Sequence, residues 1–246
     1  MQSLFKSNIG LGTNRLGSNV KQDLASLHYA LDLGYCVIDT AERYMNQASE
    51  QVIGKCLQER SRTDRDQLQI VTKVQPQNSI IDSCMNSLHR MQTDYIDIYL
   101  LHWRGNANLE SVIVDMLRLQ EKGYIKYFGV SNFTVSDIIE WKNIEQTLTS
   151  NSSLVTNQVK YNFNDRAAEK DLIPYHQNNN IITMAHSPLD KGQALVNTEL
   201  ISYAHQHGIS VAQAALKWVL RTPGVIAIPK STDSQRLKEN LMVTKM

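Results

Sequence analysis

Long apolar runs, a secretory leader and paired cysteines are all missing from this sequence of 246 residues. No apolar run reaches the roughly 18 residues of a membrane span. The opening stretch MQSLFKSNIG has no apolar segment followed by a small-residue cleavage site. The three cysteines, Cys36, Cys56 and Cys84, form no Cys-x-x-Cys pair. We therefore expect a cytoplasmic protein with reduced thiols and no membrane contact, in which a nucleophilic cysteine is the less favoured alternative.

An excess of charge of one sign is also missing. The 25 basic and 24 acidic side chains give a formal net charge of +1, too little for a long-range field that would attract nucleic acid. The usual nucleotide-binding motifs are missing as well. The glycine-rich stretch GLGTNRLG at residues 10–17 does not have the Gly-x-Gly-x-x-Gly spacing, and there is no P-loop. Nucleic acid is therefore not expected as a partner, and neither is a nucleotide bound in the Rossmann manner.

The sequence does have a regular alternation of short β-branched runs with longer segments of helical spacing. The eight runs that predict strands are Ile9–Gly12, Cys36–Thr40, Leu68–Val74, Ile96–His102, Lys126–Ser131, Leu154–Tyr161, Ile181–His186 and Val225–Lys230. Alternating strands and helices predict a parallel sheet. Eight such units in a chain of this length predict an α/β fold, a (β/α)8 TIM barrel that forms a single domain over residues 1–246. The alternative is an open doubly wound sheet, against which the missing glycine motif argues.

Four polar side chains lie at or just beyond the ends of three consecutive runs, the strand ends at which a TIM barrel carries its catalytic residues. They are Asp39, Tyr44, Lys73 and His102. Each alone has a structural interpretation, as a helix cap, a snorkelling lysine or a hydrogen-bonded core histidine. Together they suit acid catalysis, because a nearby ammonium lowers the pKa of a phenol and an aspartate can hold that ammonium in place. The tyrosine could then protonate a carbonyl oxygen that the histidine binds.

Three stretches give the sequence a family resemblance. They are GYCVIDTAERYMNQASEQVIG at 34–54, GVSNF at 129–133 and IPKSTDSQRLKEN at 228–240, with LLHW and NQVKYN between them. From about residue 9 to 240 the chain resembles an aldo-keto reductase. The resemblance implies a barrel that binds NADP(H) without a Rossmann motif and uses it to reduce aldehydes, with ketones as a further class. It also implies that Asp39, Tyr44, Lys73 and His102 are the catalytic residues, with Tyr44 as the general acid and no metal.

The resemblance also implies a set of cofactor contacts. They are Ser131, Asn132 and Gln158 at the nicotinamide carboxamide, Ser187 and Leu189 in the loop over the pyrophosphate, Lys230, Ser231 and Arg236 at the 2′-phosphate, and Glu239 and Asn240 at the adenine. His186 occupies the place of the aromatic residue that stacks on the nicotinamide. Its imidazole is expected to titrate near ~6.5, or lower if burial depresses the pKa.

The predicted site for the 2′-phosphate is also supported by a physical argument that does not depend on the family resemblance. Lys230 and Ser231 are expected to close the last strand, Thr232 or Asp233 to cap the next helix, and Arg236 to follow in about the first turn. Helix N-termini bind anions, and a guanidinium group binds phosphate through two parallel hydrogen bonds. Asp233 would suit NAD, but the two cations favour NADP(H). An ordinary capped surface helix is the alternative.

The sequence departs from the family pattern at Met45, where the family usually has glycine, at His186, and in its shortened N-terminal and C-terminal segments. These departures predict an altered loop after the acid and an open substrate pocket. A monomer that acts on a small-molecule carbonyl substrate is expected. The alternative function is an NADP(H)-holding binding or structural protein of the same fold with little turnover.

Overall fold

The computed structural model describes residues 4–150 and 154–246. Eight parallel strands lie in one sheet in chain order: β1 Leu11–Gly12, β2 Val37–Asp39, β3 Gln69–Val74, β4 Ile96–Leu101, β5 Ile125–Ser131, β6 Leu154–Lys160, β7 Ile182–His186 and β8 Val225–Ala227. Isolated parallel bridges join Ile9 to Ala227 and Gly12 to Lys230, so the last strand lies beside the first. The sheet is therefore closed, which confirms the predicted (β/α)8 barrel.

Helices follow the strands on the outside of the barrel. They are α1 Val20–Leu33, α2 Ala48–Gln58, α3 Arg62–Gln67, α4 Ile80–Met91, α5 Leu109–Glu121, α6 Val135–Leu148, α7 Leu172–Asn178, α8 Thr198–His207, α9 Val211–Leu220 and α10 Ser234–Met242, with short 3-10 segments at Ala167–Glu169, Asp190–Val196 and Val243–Lys245. Side-chain caps start many of them; Thr134, for example, begins α6 with a capping box. Among the described residues, no helix is long and apolar enough to cross a membrane.

The barrel wall is buried on both faces. Every residue of β3 and β4 is buried, as expected for parallel strands that are covered by helices outside and by side chains inside. The interior is filled by a cluster that includes Val37, Val71, Ile98, Leu100 and Met184. The polar strand ends lie above this packed interior, where a TIM barrel carries its functional site.

The last strand is shorter than predicted. It ends at Ala227 rather than at Lys230, and Pro229, which has no backbone N–H to give to a sheet, lies in the part that is lost. Lys230 still forms its bridge with Gly12. A side chain at Gly12 would bring its Cβ to 2.9 Å from the carbonyl oxygen of Ile228, so glycine is what permits this close approach at the point of closure.

Candidate active site

Lys73 lies at the centre of a polar cluster at the C-terminal end of the barrel. Its Nζ donates to Asp39 Oδ1 at 2.7 Å, to the carbonyl oxygen of Thr40 at 2.6 Å and to the Tyr44 hydroxyl at 3.3 Å. These three contacts match the three donors of an ammonium group. Because Lys73 is fully buried, its charge is stabilised by these neighbours rather than by water.

The ion pair between Lys73 and Asp39 determines the charge of the lysine. Burial disfavours the ammonium, but the attraction of Asp39 and Tyr44 outweighs it and raises the pKa of Lys73. Burial raises the pKa of Asp39, while Lys73 and a hydrogen bond from Gln158 act in the opposite direction. Lys73 is therefore a cation at neutral pH, 3.3 Å from the phenol oxygen.

The acidity of Tyr44 differs from the expectation. Burial raises the pKa of Tyr44 and Asp39 adds to the rise, whereas Lys73 and Arg43 oppose it, and the net change is upward. The predicted lowering of this pKa is wrong, because the loss of solvation disfavours the phenolate more than the nearby cations favour it. The hydroxyl is thus protonated in the physiological pH range, as a proton donor must be.

His102 follows β4 and completes the cluster. Its ring stands edge-on to Tyr44, with ring centroids 5.9 Å apart and an interplanar angle of 78°. Burial, followed by the charges of Lys73, Arg43 and His186, lowers the pKa of His102 to about 3. The imidazole is therefore neutral and can donate one hydrogen bond without carrying a proton to transfer. Within the described chain, its Nδ1 is buried without a hydrogen-bond partner.

Three side chains from β5 and β6 lie next to this cluster. Ser131 Oγ donates to the carbonyl oxygen of Gln158 at 2.9 Å. Asn132 Nδ2 donates to the carbonyl oxygen of His102 at 3.2 Å and to Ser131 Oγ at 3.0 Å. Gln158 Nε2 donates to Asp39 Oδ1 at 2.7 Å. Asn132 has a φ of 58°, a left-handed conformation that asparagine tolerates better than most residues, and its amide is held in place by these contacts.

His186 lies at the end of β7, against Asn132. Its Nε2 is 3.2 Å from Asn132 Oδ1, and its Nδ1 is 3.2 Å from Ser187 Oγ. Asn132 Nδ2 already donates elsewhere, so its Oδ1 is an acceptor and the ring hydrogen is assigned to Nε2. Burial, followed by nearby cations, lowers the pKa of His186 to about 4. The imidazole is half-buried, and it titrates well below the ~6.5 of an unperturbed histidine.

A cleft of about 920 Å³ runs from this cluster across the mouth of the barrel to α10. Its walls contain all the residues that the sequence assigned to the cofactor: Ser131, Asn132, Gln158, His186, Ser187, Leu189, Lys230, Ser231, Arg236, Glu239 and Asn240. Asp39, Tyr44 and His102 also line it, whereas Lys73 lies beneath them. The structure therefore brings the two groups of predicted residues into one continuous site.

The far end of the cleft carries two cations, Lys230 and Arg236. Asp233 caps α10, as predicted: its Oδ1 accepts a hydrogen bond from the backbone N–H of Arg236 at 2.9 Å. Lys230 Nζ has only a 3.4 Å contact with Thr232 Oγ1, and in the described part of the chain neither Lys230 nor Arg236 forms a salt bridge. Two cations at a helix N-terminus suit an anionic group.

The cleft also has walls that the sequence reasoning missed. They include Thr13, Asn14, Arg15, Lys191, Gly192 and Val211. These residues lie in the loops after β1 and β7 or at the start of α9, outside the strand ends and the three stretches that carry the family resemblance. A search of the loops after β1 and β7 for cations could have found Arg15 and Lys191. Among the described residues, no group of His, Cys, Asp and Glu side chains could hold a metal ion.

Comparisons with known proteins agree along nearly the whole chain. The sequence model of the Aldo/keto reductase family matches residues 8–246. Methylglyoxal reductase YeaE of Escherichia coli (strain K12) is 36% identical, over 97% of this chain and 85% of the relative. Glyoxal reductase of Bacillus subtilis (strain 168) is 35% identical, over 94% of this chain and 80% of the relative. The crystal structure of an aldo-keto reductase from Klebsiella pneumoniae in complex with NADPH matches with a TM-score of 0.88 at 35% identity, over 97% of this chain and 86% of that one.

Proposed function

This chain belongs to the aldo/keto reductase family, and on that premise we propose that its substrates are small 2-oxoaldehydes and that Tyr44 is its general acid. The chain is an NADPH-dependent reductase of aldehydes. The narrower substrate class is supported by the two relatives named as methylglyoxal and glyoxal reductases. The alternative of a holding protein has no support, because these relatives are named as enzymes.

The cleft fits an extended dinucleotide that carries a 2′-phosphate. In this proposal Lys230, Ser231 and Arg236 bind that phosphate, and the helix N-terminus adds its favourable dipole. Asn240 Oδ1 is buried and unpaired within the described residues, which suits an acceptor for an adenine amino group. The remaining contacts follow the cleft: Glu239 at the adenine, Ser187 and Leu189 at the pyrophosphate, His186 against the nicotinamide, and Ser131, Asn132 and Gln158 at the carboxamide.

The chemistry of the site follows from the contact between Lys73 Nζ and the Tyr44 hydroxyl at 3.3 Å, which is the observation that carries the proposal. NADPH, when bound, supplies the hydride. The neutral ring of His102 donates a hydrogen bond to the carbonyl oxygen, and Tyr44 protonates that oxygen as negative charge develops on it. The phenolate left behind faces the Lys73 ammonium, which is fixed by Asp39, so the charge is stabilised without rearrangement.

Loss of NADPH absorbance tests the substrate proposal. We expect kcat/KM for methylglyoxal and glyoxal to exceed that for propanal and acetaldehyde, their matched monoaldehydes. The second carbonyl withdraws electrons from the first and makes it a better hydride acceptor. Reduction of the monoaldehydes with no gain for the 2-oxoaldehydes would contradict the substrate class and leave the reductase assignment in place.

Three further expectations stay predictions. They are a monomer, a single domain over residues 1–246 and a cytoplasmic location. Light scattering of the purified chain, limited proteolysis and cell fractionation would check them in turn.

A further inference from the structure

Arg43 is an exposed cation beside the proposed carbonyl site. It immediately precedes Tyr44, and its Cζ lies 5.2 Å from the ring centroid of Trp103. The Trp103 ring is in turn 5.0 Å from the ring of His102, centroid to centroid. Two successive ring contacts therefore connect the guanidinium to the imidazole that is proposed to hold the substrate oxygen.

The guanidinium of Arg43 makes a cation–π contact with Trp103. Arg104, which follows Trp103 in the sequence, differs from Arg43 because it forms a salt bridge with Glu140 at 2.9 Å. Across residues 4–150 and 154–246, Arg43 makes no salt bridge and no hydrogen bond, only the contact with Trp103. Its five N–H donors therefore face solvent and are available to a ligand.

The charge of Arg43 acts on the reacting groups. It contributes to the lowered pKa of His102 and opposes the rise in the pKa of Tyr44. The other charges that act on His102 are those of Lys73 and His186, and every one of them disfavours the imidazolium. Lys73 is paired with Asp39, and His186, with its pKa lowered to about 4, is neutral at pH 7. Of these three groups, Arg43 is therefore the one whose charge favours an anionic substrate over a neutral one of the same shape.

We propose that Arg43 is a specificity-determining residue that binds the carboxylate of an aldehyde substrate. The aldehyde oxygen lies at Tyr44 and His102, and the carboxylate lies several atoms further out, at the guanidinium. A planar guanidinium supported by an indole presents its edge to a carboxylate and can form two parallel hydrogen bonds with it. This inference rests on the proposed function of Tyr44 and adds a second substrate class to the small 2-oxoaldehydes, which are too short to extend that far.

Matched pairs of aldehydes test the proposal. We compare 4-oxobutanoate with butanal, and 4-carboxybenzaldehyde with benzaldehyde, using the wild type and Arg43→Met. In the wild type we expect kcat/KM for the acid to exceed that for the neutral partner by about tenfold, as one well-placed charged contact at an open site would give. Arg43→Met should bring both ratios near one, because it removes the anion contact. Any effect of the lost charge on Tyr44 and His102 changes both members of a pair alike and cancels in the ratio. Arg43→Lys should be intermediate, since it keeps the charge but loses the planar fork.

Arg118→Met is the control for net charge, because Arg118 is an exposed residue of α5 that pairs with Asp115. Equal ratios in wild type and Arg43→Met would overturn the proposal, as would the same change in Arg118→Met. An equal loss of kcat/KM for both members of a pair would show that Arg43 only supports Trp103.

Calorimetric binding of 4-hydroxybutanoate to the NADPH complex tests Arg43 without turnover. Weaker binding to Arg43→Met than to the wild type supports the role of Arg43, and unchanged binding contradicts it. Absence of all aldehyde reduction would instead overturn the proposed function.

Discussion

Gln158 Nε2 lies 2.7 Å from Asp39 Oδ1, the same oxygen that accepts from the Lys73 ammonium at 2.7 Å. The Gln158 amide, which is proposed to contact the nicotinamide, thus donates a hydrogen bond to the Asp39 carboxylate that positions Lys73. Because both donors share one oxygen, a shift of either donor changes the position or the basicity of the carboxylate. The cofactor side and the proton-donor side of the site are therefore connected through Asp39.

Removing the lysine is expected to destabilise the fold as well as the chemistry. Lys73→Met leaves Asp39 buried without a cation, and breaking a buried ion pair in this way costs about 3–5 kcal/mol. Lys73→Met combined with Asp39→Asn should be more stable than Lys73→Met alone, because the uncompensated charge is gone. Urea unfolding followed by circular dichroism measures both. A single variant as stable as the wild type would show that the pair does not stabilise the fold.

Tyr44, the proposed proton donor, can be tested without altering the proposed cofactor contacts. Tyr44→Phe should lower kcat for aldehyde reduction by roughly 10²–10⁴-fold, the usual contribution of general acid catalysis. NADPH affinity, from quenching of protein fluorescence, should change little, because the hydroxyl contacts Lys73 and not the proposed cofactor residues. Activity within a few-fold of the wild type would rule out Tyr44 as the acid.

The choice of NADPH over NADH depends on Arg236 in this proposal. Arg236→Ala should weaken the binding of NADPH by roughly 1.5–3 kcal/mol, the range for hydrogen bonds to charged groups. The binding of NADH should be almost unchanged. Fluorescence titration with both cofactors measures the difference. Lys238→Ala is a control, because Lys238 is an exposed lysine of the same helix outside the cleft. Equal losses of affinity for the two cofactors would show that Arg236 does not bind the 2′-phosphate.

The charge of His186 should change the relative affinities for NADP⁺ and NADPH only at acidic pH. With a pKa lowered to about 4, the imidazole gains its proton as the pH falls through that value. A protonated imidazole repels the cationic nicotinamide ring of NADP⁺ more than the neutral ring of NADPH. The ratio of Kd for NADP⁺ to Kd for NADPH should therefore be constant from pH 8 to about 5.5, the window around an unperturbed histidine, and should rise below it. His186→Tyr should give a constant ratio throughout, and a rise in the wild type centred near pH 6.5 would contradict the lowered pKa.

The loop after Tyr44 contains a strained residue. Met45 has a φ of 47°, where a side chain costs about 1–2 kcal/mol and glycine costs nothing sterically. Its side chain is 42% exposed, so little packing would be lost. Met45→Gly should raise the free energy of unfolding by about 0.5–1 kcal/mol, after the flexibility of glycine in the unfolded chain is subtracted. Thermal and urea unfolding measure it. Met45→Ala retains the strain and should not stabilise; an equal gain from both variants would place the cause elsewhere.

Much of the site was predictable because the fold places chemistry at strand ends. The sequence predicted all eight strands, since β-branched runs and helical spacing reflect short-range preferences. Once the strands are known, Asp39, Lys73 and His102 fall at one end of the barrel by topology alone. Met45 could be recognised in advance as an unusual residue after the acid, although the pattern did not reveal that three successive residues, at 45–47, adopt positive φ values.

The sequence by itself thus determined the barrel, the placement of Tyr44 beside Asp39, Lys73 and His102, and most of the residues that line the cleft. Only the tertiary structure decided the pKa directions of Tyr44 and His186, the hydrogen bond from Gln158 to Asp39, and the contact of Arg43 with Trp103. The physical reason is that strand and helix patterns depend on neighbours within a few positions. Solvation and Coulomb energies depend instead on every group within several ångströms, and those groups come together only after the barrel has closed.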